Sequence, residues 1–508
     1  MEAYAAVPGD DPFAVSKGMF TALAADLAGS GTAGMTACQL EELLDERGRE
    51  IERQLLQDHL DLRAAREEEG ARARRAPVTG TDGITRTRLE AGHGRLLATL
   101  FGTVRVTRCA WRRPGTGNFC PADAALSLPA GRHSHSLARL AAVEAARGSF
   151  EAAHAAITRR CGPVIGKRQA EQAVVHAAAD IPAFYAARVP EPCTSSTLLV
   201  LSADSKGIVM RPGALRAATA RAAARLGKMR TRLAAGEKPN RKRMATLAAV
   251  YDAEPAPRRP HDVIAPPGGR HGCREPRKGP RARAKWLSGS VRDDPAEVIA
   301  AAFDEAGARD LDHLRTWVVL VDGAEHQLDL IRAEAGRRGV TIHVVIDLIH
   351  VLEYLWKAAW SLHAAGDPAA EDWAAVKALA VLAGDSARAA EQITAEAGAA
   401  GLDGSQRTGA DTCVRYLNGR HEYLRYDQAL AAGWPIATGV IEGACRHLIA
   451  DRLDIGGARW GLDGAEAVLT LRAVISTGDF EEYWRFHLAC EHQRLYPDTD
   501  QGKYTLGA

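Results

Sequence analysis

The chain has 508 residues, more than one ordinary hydrophobic core supports, so two to four domains are predicted. Hydrophobic residues make up 46% and charged residues 25%, which is typical of soluble globular proteins, and no apolar run reaches the roughly 18–20 residues of a membrane span. Nine cysteines are scattered without a CxxC pair, and the first residues show no signal-peptide pattern. These features predict free thiols in a reducing cytoplasm and exclude a zinc ribbon or finger.

The net charge of +2 conceals a strongly basic segment. From Lys206 to Lys285 there are 21 Lys and Arg against 5 Asp and Glu, a net +16, so the remainder carries +2 − 16 = −14. Such a segment is typical of a protein that binds a polyanion. A solvated basic loop is the alternative, but the position beside a buried strand favours nucleic acid.

The N-terminal part of the chain changes character twice. Residues 1–78 carry leucines at helical spacing and are predicted to be helical. Residues 84–113 alternate apolar and polar side chains and are rich in arginine, which predicts a small antiparallel β element. Residues 114–131 form a linker rich in Gly and Pro.

Three helices are predicted next, over 136–147, 149–160 and 166–179. Gly148 and Ser149 mark the first break, and Ser149 is suited to cap the second helix. Two short helices joined by a tight turn, the later one opening with Lys167 and Arg168, are typical of a helix-turn-helix that reads DNA. An ordinary three-helix bundle explains the pattern equally well, and both interpretations stay open.

Three short apolar runs each lead into an aspartate. Leu198–Leu201 predicts a buried strand that ends at Asp204, and two later strands, 316–321 and 340–346, end at Asp322 and Asp347. Each acid alone is explained by a turn or a helix cap. Together they predict carboxylates gathered at one edge of a central sheet, as in a divalent-metal site for phosphoryl transfer.

The order of elements around these acids indicates the fold class, which is α/β. After the first strand come a basic helical stretch (213–243), strand 244–250, a loop, strand 286–291, helix 295–306, and then strands alternating with helices. Three consecutive strands followed by this alternation are the order of an RNase H-like fold. Residues 351–432 are helical and rich in alanine, which predicts an all-α insertion.

Glu442 is the candidate for a further carboxylate, carried on a helix that begins at Thr438 or Gly439. In the first turn, the helix dipole also favours an acid, so a simple cap is the alternative. Arginines and a tryptophan follow, and such residues suit phosphate contact and base stacking. These residues are Arg446, Arg452, Arg459 and Trp460.

The contexts of these acids resemble the DDE triad of bacterial insertion-sequence transposases of the ISKra type, which are related to Mutator-like elements. The triad motifs are Ser-Ala-Asp204-Ser-Lys-Gly, Val-Leu-Val-Asp322-Gly and Ala-Thr-Gly-Val-Ile-Glu442-Gly-Ala. Longer blocks resemble the same family. They begin at Gly236 (Gly-Glu-Lys-Pro-Asn-Arg-Lys-Arg-Met-Ala), Asp347 (Asp-Leu-Ile-His-Val-Leu-Glu-Tyr-Leu-Trp-Lys), Gly456 (Gly-Gly-Ala-Arg-Trp) and Gly478 (Gly-Asp-Phe-Glu-Glu-Tyr-Trp).

The resemblance implies an RNase H-like core that cuts and joins the element's inverted repeats with Mg²⁺ or Mn²⁺. The expected catalytic and metal-binding residues are Asp204, Asp322 and Glu442. Asp322 is preferred to Asp347 because it precedes a glycine and ends the strand next to the first helices. Asp347 and His350, in a motif like the Cys/Asp-x-x-His element of Mutator-like enzymes, are accessory candidates, and packing at a helix start explains His350 equally well. Expected DNA contacts are Lys206, Arg241, Lys242, Arg243, Arg446, Arg452, Arg459 and Trp460.

The expected partners are double-stranded DNA (the terminal inverted repeats and the target) and further copies of this chain, with no membrane, in the cytoplasm at the bacterial nucleoid. Two alternatives stay open: an inactive or domesticated relative that binds DNA as a regulator, and a cellular nuclease with an RNase H fold. The predicted regions are 1–78 (helical), 79–131 (small β element and linker), 132–190 (helical, candidate helix-turn-helix), 195–350 (first part of the core, with a basic insertion at 211–285), 351–435 (all-α insertion), 436–476 (core helix with Glu442) and 477–508 (C-terminal tail).

Overall fold

The structure is a computed structural model that describes residues 11–74, 77–80, 82–189, 195–225, 241–269, 275–364 and 366–497. It is a mixed α/β protein. Part of the predicted basic helical stretch, residues 226–240, lies outside the described residues, as do 270–274 in the loop that follows.

The first part of the chain is mainly helical and contains short antiparallel strands, as predicted. Its helices are α1 (Ala14–Ala28), α2 (Ala37–Arg74), α3 (Pro121–Ala125), α4 (His135–Arg147), α5 (Phe150–Cys161), α6 (Lys167–Ala177) and α7 (Ile181–Ala187). Its strands are β1 (Val78–Thr79), β2 (Thr85–Arg86), β3 (Arg88–Thr99) and β4 (Gly102–Arg112), with β1 paired to β2 and β3 paired to β4.

The helices α4, α5 and α6 lie where the sequence predicts three helices. The Ser149 hydroxyl accepts a hydrogen bond from the Ala152 N–H at 3.0 Å, so the predicted cap of α5 is confirmed. Leu137, Ile157 and Ala170, one from each helix, belong to one buried cluster. This packing is common to a helix-turn-helix and to a simple bundle, so DNA reading by α5 and α6 stays a prediction.

A five-stranded mixed sheet forms the centre of the second part. Its strands are β5 (Leu198–Val209), β6 (Lys242–Ala253), β7 (Ala282–Ser290), β8 (Trp317–Val321) and β9 (Ile342–Ile346). The order across the sheet is β7-β6-β5-β8-β9. The neighbours β5, β6 and β7 are antiparallel, whereas β8 runs parallel to β5 and β9 runs parallel to β8. The strand β6 falls within the range 211–285 that was expected to hold a basic insertion.

The sequence analysis was wrong about the end of β5. The strand does not stop at Asp204 but continues to Val209, because β6 stays paired with it along its whole length, from Leu198↔Ala253 to Val209↔Lys242. Pairing with β8 stops earlier, at Ser202↔Leu320. Asp204 therefore lies just past the point where the parallel pairing ends, and not past the end of the strand.

Helices make up most of the rest of the described chain, including the stretch 351–432. They are α8 (Ala217–Arg225), α9 (Pro260–Val263), α10 (Pro295–Arg309), α11 (Glu325–Arg338), α12 (Leu348–Leu362), α13 (Pro368–Leu382), α14 (Ser386–Ala399), α15 (Gly404–Gly419), α16 (Tyr426–Ala432), α17 (Gly439–Ala444), α18 (Leu462–Thr477) and α19 (Phe480–Leu495). A π-helix, Cys445–Ala450, directly continues α17.

The chain divides into two compact units. One comprises the chain up to Ala186 together with the segment from Phe480 onward, and the other is continuous from Ala187 to Asp479. The predicted C-terminal tail is thus divided, because α19 belongs with the N-terminal unit. None of the helices in the described ranges combines the length and the hydrophobicity that a membrane span needs.

Candidate active site

Asp204 sits in the middle of β5, where that strand has β6 on one side only. Its carboxylate is half-buried, and its Oδ2 accepts a hydrogen bond from the Cys445 thiol at 3.2 Å. Its Oδ1 accepts the Ser205 N–H at 2.6 Å. Since burying an unpaired carboxylate is costly, these donors stabilise the charge where the neighbouring strand has ended.

Strand register brings the three predicted aspartates into one row. Ser202 pairs with Leu320, so counting two residues on reaches Asp204 on β5 and Asp322 after β8. Val321 pairs with Ile346, so the next residues are Asp322 and Asp347, and the Asp347 N–H donates to the Val321 carbonyl at 2.8 Å. The register thus aligns the backbone positions of the three aspartates at the carboxyl ends of the parallel strands, and a shared carboxylate site there stays a prediction.

Asp347 is buried, with 2% of its surface exposed, and it organises two helix starts. Its carboxylate accepts the backbone N–H groups of Ile349 and His350, each at 3.3 Å, and so caps α12. Its Oδ1 also accepts the Thr438 N–H at 3.0 Å, immediately before α17. Asp347 therefore fixes the start of the helix that carries Glu442.

Glu442 lies in the first turn of α17, as predicted, and its Oε1 accepts the Thr438 hydroxyl at 3.0 Å. Partial burial raises the pKa of Glu442. The Thr438 hydrogen bond opposes this shift, whereas Asp347 and Asp204 raise the pKa further. Burial and the neighbouring carboxylates both disfavour the ionised form of Glu442. Glu442, Asp347 and Asp204 thus share one electrostatic environment.

Asp322 has a different local role. Its Oδ1 accepts the Ala324 N–H at 2.9 Å across the turn that follows β8, and its carbonyl accepts the Tyr416 hydroxyl at 3.3 Å. Gly323 has φ +89°, and a Cβ there would lie 2.9 Å from Ile346 Cδ1, so the turn requires glycine. The acids that raise the pKa of Glu442 are Asp347 and Asp204, so the preference for Asp322 as second acid stays a prediction.

His350 contacts Asp347 through its backbone N–H, whereas its ring lies elsewhere. The ring packs edge-on against Tyr354, with centroids 5.5 Å apart, and against Tyr416, at 6.1 Å. Its Nδ1 lies 3.7 Å from Glu353 Oε2. The half-buried ring therefore belongs to an aromatic group on α12 and α15, and DNA contact by His350 stays a prediction.

The donor set suits a hard divalent cation, since Asp204, Asp322 and Glu442 offer only carboxylate oxygens. A cation would relieve the repulsion that raises the pKa of Glu442. Within the described ranges, however, no three His, Cys, Asp or Glu side chains are already arranged as ligands of one ion. Burial and Asp204 raise the pKa of the Cys445 thiol, which keeps it a neutral hydrogen-bond donor to Asp204.

Four of the predicted DNA-contacting residues are at least partly exposed. Arg446 and Arg459 are exposed, and Lys206 is half-buried, where its charge partly opposes the rise in the pKa of Cys445. Arg241 is half-buried, and its carbonyl accepts the Met210 N–H at 3.0 Å. These positions are compatible with phosphate contact.

Other predicted DNA contacts are occupied within the protein. The Arg243 guanidinium donates to the carbonyls of Val291, at 2.6 Å, and Arg292, at 2.9 Å. Lys242 pairs with Asp454 at 3.2 Å. Both side chains join β6 to neighbouring segments, so their local role is structural.

Arg452 and Trp460 are buried, with 3% and 6% of their surface exposed. The Arg452 guanidinium carbon lies 4.7 Å from the Trp460 ring centroid, and the Trp460 indole donates to the Leu453 carbonyl at 2.9 Å. Burial, and then Arg472, lower the pKa of Arg452 to about 10. As folded, neither side chain offers a surface to a phosphate or a base, which corrects the expected roles of both.

The sequence analysis missed three residues that position the acids. Cys445 lies three residues after Glu442, a spacing that places both side chains on one helix face and could have identified it. Thr438 was recognised as a helix start but not as a hydrogen-bond donor to Glu442. Gln327 donates from α11 to the Ala203 carbonyl at 2.8 Å, next to Asp204, and no sequence signal pointed to this contact.

Comparison with known proteins identifies no relative of this chain. No protein-family model matches the chain, and no curated protein matches it significantly.

Proposed function

We propose that the protein is a DDE-type DNA transposase of the ISKra type and that its five-stranded sheet is an RNase H-like core. The row of Asp204, Asp322 and Asp347 across three parallel neighbours, with Glu442 on a helix start tied to it, carries this proposal. The strand order supports it. The first three strands of the sheet, β5, β6 and β7, are antiparallel neighbours, and β8 and β9 then add in parallel on the other side of β5. The motifs quoted from the sequence supply the particular family.

In this proposal Asp204, Asp322 and Glu442 would hold Mg²⁺ or Mn²⁺, which would supply activation of the attacking oxygen and stabilisation of the leaving oxygen of a phosphodiester. Asp347 acts as a positioning residue, because it holds the Thr438 N–H and thereby the start of α17. The Thr438 hydroxyl orients the Glu442 carboxylate. Arg446 and Arg459, both exposed, offset the negative charge of the DNA backbone.

The test is cleavage of a DNA duplex that carries the element end, with Mg²⁺ and with EDTA. Wild type should nick the duplex only with the metal, and Asp204→Asn, Asp322→Asn and Glu442→Gln should each lower the rate by more than about 100-fold, because each removes a metal ligand. Circular dichroism establishes that each variant is folded. Glu371→Gln, an exposed acid in the first turn of α13, is the matched control and should cleave normally.

Asp347→Asn decides between the two candidates for the second acid. If Asp347→Asn abolishes cleavage while Asp322→Asn leaves it intact, the triad is Asp204, Asp347 and Glu442. Binding without cleavage by wild type would favour the regulatory relative, and cleavage without strand transfer would favour the nuclease.

A further inference from the structure

A groove of about 600 Å³ lies between α12 and α15, within the continuous unit. Its floor depends on Gly409, because a Cβ at this position would lie 2.2 Å from the Lys357 carbonyl oxygen. The two helices therefore approach more closely than any larger residue would permit. The volume is within the range of sites that hold a small organic ligand or one nucleotide.

An exposed tryptophan forms one wall of this groove. Trp360 has 49% of its surface exposed, whereas large aromatic residues are usually mostly buried. The Trp356 ring supports it from one side, with centroids 5.3 Å apart and planes 29° apart. A rigid and solvent-exposed indole is a surface on which a flat ring can stack.

Polar residues also line the groove. Lys357, three residues before Trp360 on α12, is exposed and provides a positive charge, and its Nζ lies 4.5 Å from the Tyr354 ring centroid. Gln406, Ser405 and Thr412 also line the groove, and the Thr412 hydroxyl donates to the Thr408 carbonyl at 2.6 Å. A nucleotide site needs a cation for the phosphate, an aromatic face for the base and polar side chains for the base edges. Residues of each of these types line this groove.

Helix α12 connects the groove to the row of carboxylates. Helix α12 begins directly after Asp347, and Trp360 lies 13 residues further along it, which is roughly 20 Å at about 1.5 Å per residue. Between them, the rings of Tyr354 and Tyr416 stack with centroids 4.0 Å apart. Tyr416 also donates to the Asp322 carbonyl, so this stacked pair joins α12 and α15 to the turn that follows β8.

We infer that this groove binds an unpaired base of single-stranded DNA, which stacks on Trp360 while Lys357 contacts the adjacent phosphate. The inference deepens the proposed function and rests on it for the choice of DNA as the polymer. An unpaired base is specified because the faces of bases in an intact duplex are covered by their neighbours, so an indole can stack only on a base that has left the helix.

The test measures binding of the full-length protein to a fluorescein-labelled oligothymidylate of about 15 nucleotides, followed by fluorescence anisotropy without divalent metal. Trp360→Ala should weaken binding roughly tenfold, because the stacking surface is removed. Trp360→Phe should recover most of the affinity, since an aromatic face remains. Val376→Ala, at a residue of α13 with 45% exposure, is the matched control and should bind like wild type.

Equal binding by wild type and Trp360→Ala would overturn the inference, as would an equal loss of affinity for a fully paired duplex of the same length. The outcome is independent of cleavage. If wild type cleaves the element end but Trp360→Ala leaves single-strand binding unchanged, the transposase proposal is supported and base binding in the groove is overturned. If wild type fails to cleave but Trp360→Ala loses single-strand binding, base binding in the groove is supported and the transposase proposal is overturned.

Discussion

At the scale of single residues, the candidate site concentrates negative charge that the protein itself only partly neutralises. The carboxylate of Asp347 is satisfied by backbone donors, and that of Asp204 by the Cys445 thiol and the Ser205 N–H. Glu442 has the Thr438 hydroxyl, yet its pKa is still raised by burial and by the two neighbouring acids. Carboxyl groups with a raised pKa are typical of functional sites, where charges are placed for the reaction and not for the stability of the fold.

The raised pKa of Glu442 predicts a stabilising substitution. In the folded protein this carboxyl binds its proton more tightly than in the unfolded chain, so stability falls as the pH rises through the range between the two pKa values. At neutral pH without divalent metal, Glu442→Gln should therefore raise the free energy of unfolding, by roughly 0.5 kcal/mol for so accessible a group. Thermal unfolding in EDTA measures the change.

Glu371→Gln is the matched comparison for this substitution. Glu371 lies in the first turn of α13, where a negative charge favours the helix, so its loss should leave stability unchanged or slightly lower. Adding Mg²⁺ should then stabilise wild type but not Glu442→Gln. If Glu442→Gln unfolds more easily than wild type in EDTA, the repulsion among the acids does not control stability.

At the scale of elements, α19 is joined to α6 and α7 by side-chain contacts around the buried Asp180. The Arg494 guanidinium donates twice to Asp180, at 2.7 Å each, and the His487 Nδ1 lies 2.6 Å from Asp180 Oδ2. The Tyr483 hydroxyl donates to the Ala177 carbonyl at 2.5 Å. These contacts join α19 to the end of α6 and the start of α7.

Asp180 should therefore control the docking of α19. Burial would raise the pKa of Asp180, but the hydrogen bonds from Arg494 and His487 lower it, so the contribution of this carboxylate is present above about pH 4 and is lost as the pH falls through the folded pKa. Asp180→Ala should destabilise the unit by about 2 kcal/mol at pH 7, because it removes a buried carboxylate that accepts hydrogen bonds from Arg494 and His487. Hydrogen exchange of the α19 amides measures the loss.

The ion pair between Arg139 and Glu481 is the matched control, since it also joins α19 to the same unit but is exposed. Glu481→Ala should cost less than about 1 kcal/mol. Equal protection of the α19 amides in wild type and Asp180→Ala would show that apolar packing alone holds this helix.

At the scale of the whole molecule, the two units differ in how the chain builds them. The unit from Ala187 to Asp479 is continuous, whereas the other needs α19 from the far end of the chain. Tyr483, Trp484 and Leu488 of α19 are buried, so the N-terminal unit without this helix would expose apolar surface.

This difference predicts unequal behaviour of fragments. Residues 187–479 should fold alone and unfold cooperatively, because the sheet and its helices are all included. Residues 1–186 should be unstable alone and should gain structure when a peptide of residues 480–497 is added. Circular dichroism with urea titration measures both outcomes. A stable fragment 1–186 without the peptide would contradict the role assigned to α19.

The sequence by itself determined the elements and the kinds of chemical group at the site. Apolar runs placed β5, β8 and β9, helical spacing placed the helices, and the positions of Asp204, Asp322, Asp347 and Glu442 followed from where those elements meet polar residues. Local signals suffice for such features because burial and capping act within a few residues of the chain.

Only the tertiary structure decided how these groups are arranged. The continuation of β5 past Asp204 depends on pairing with β6. The row of aspartates depends on the register of β8 with β9 and with β5, whose paired residues Ser202 and Leu320 are 118 residues apart in sequence. The burial of Trp460, the Cys445 contact with Asp204 and the docking of α19 are also long-range. The spacing of Cys445 from Glu442 marks it as a neighbour of that acid, but each of these contacts is itself fixed by the packing of segments that are distant in sequence.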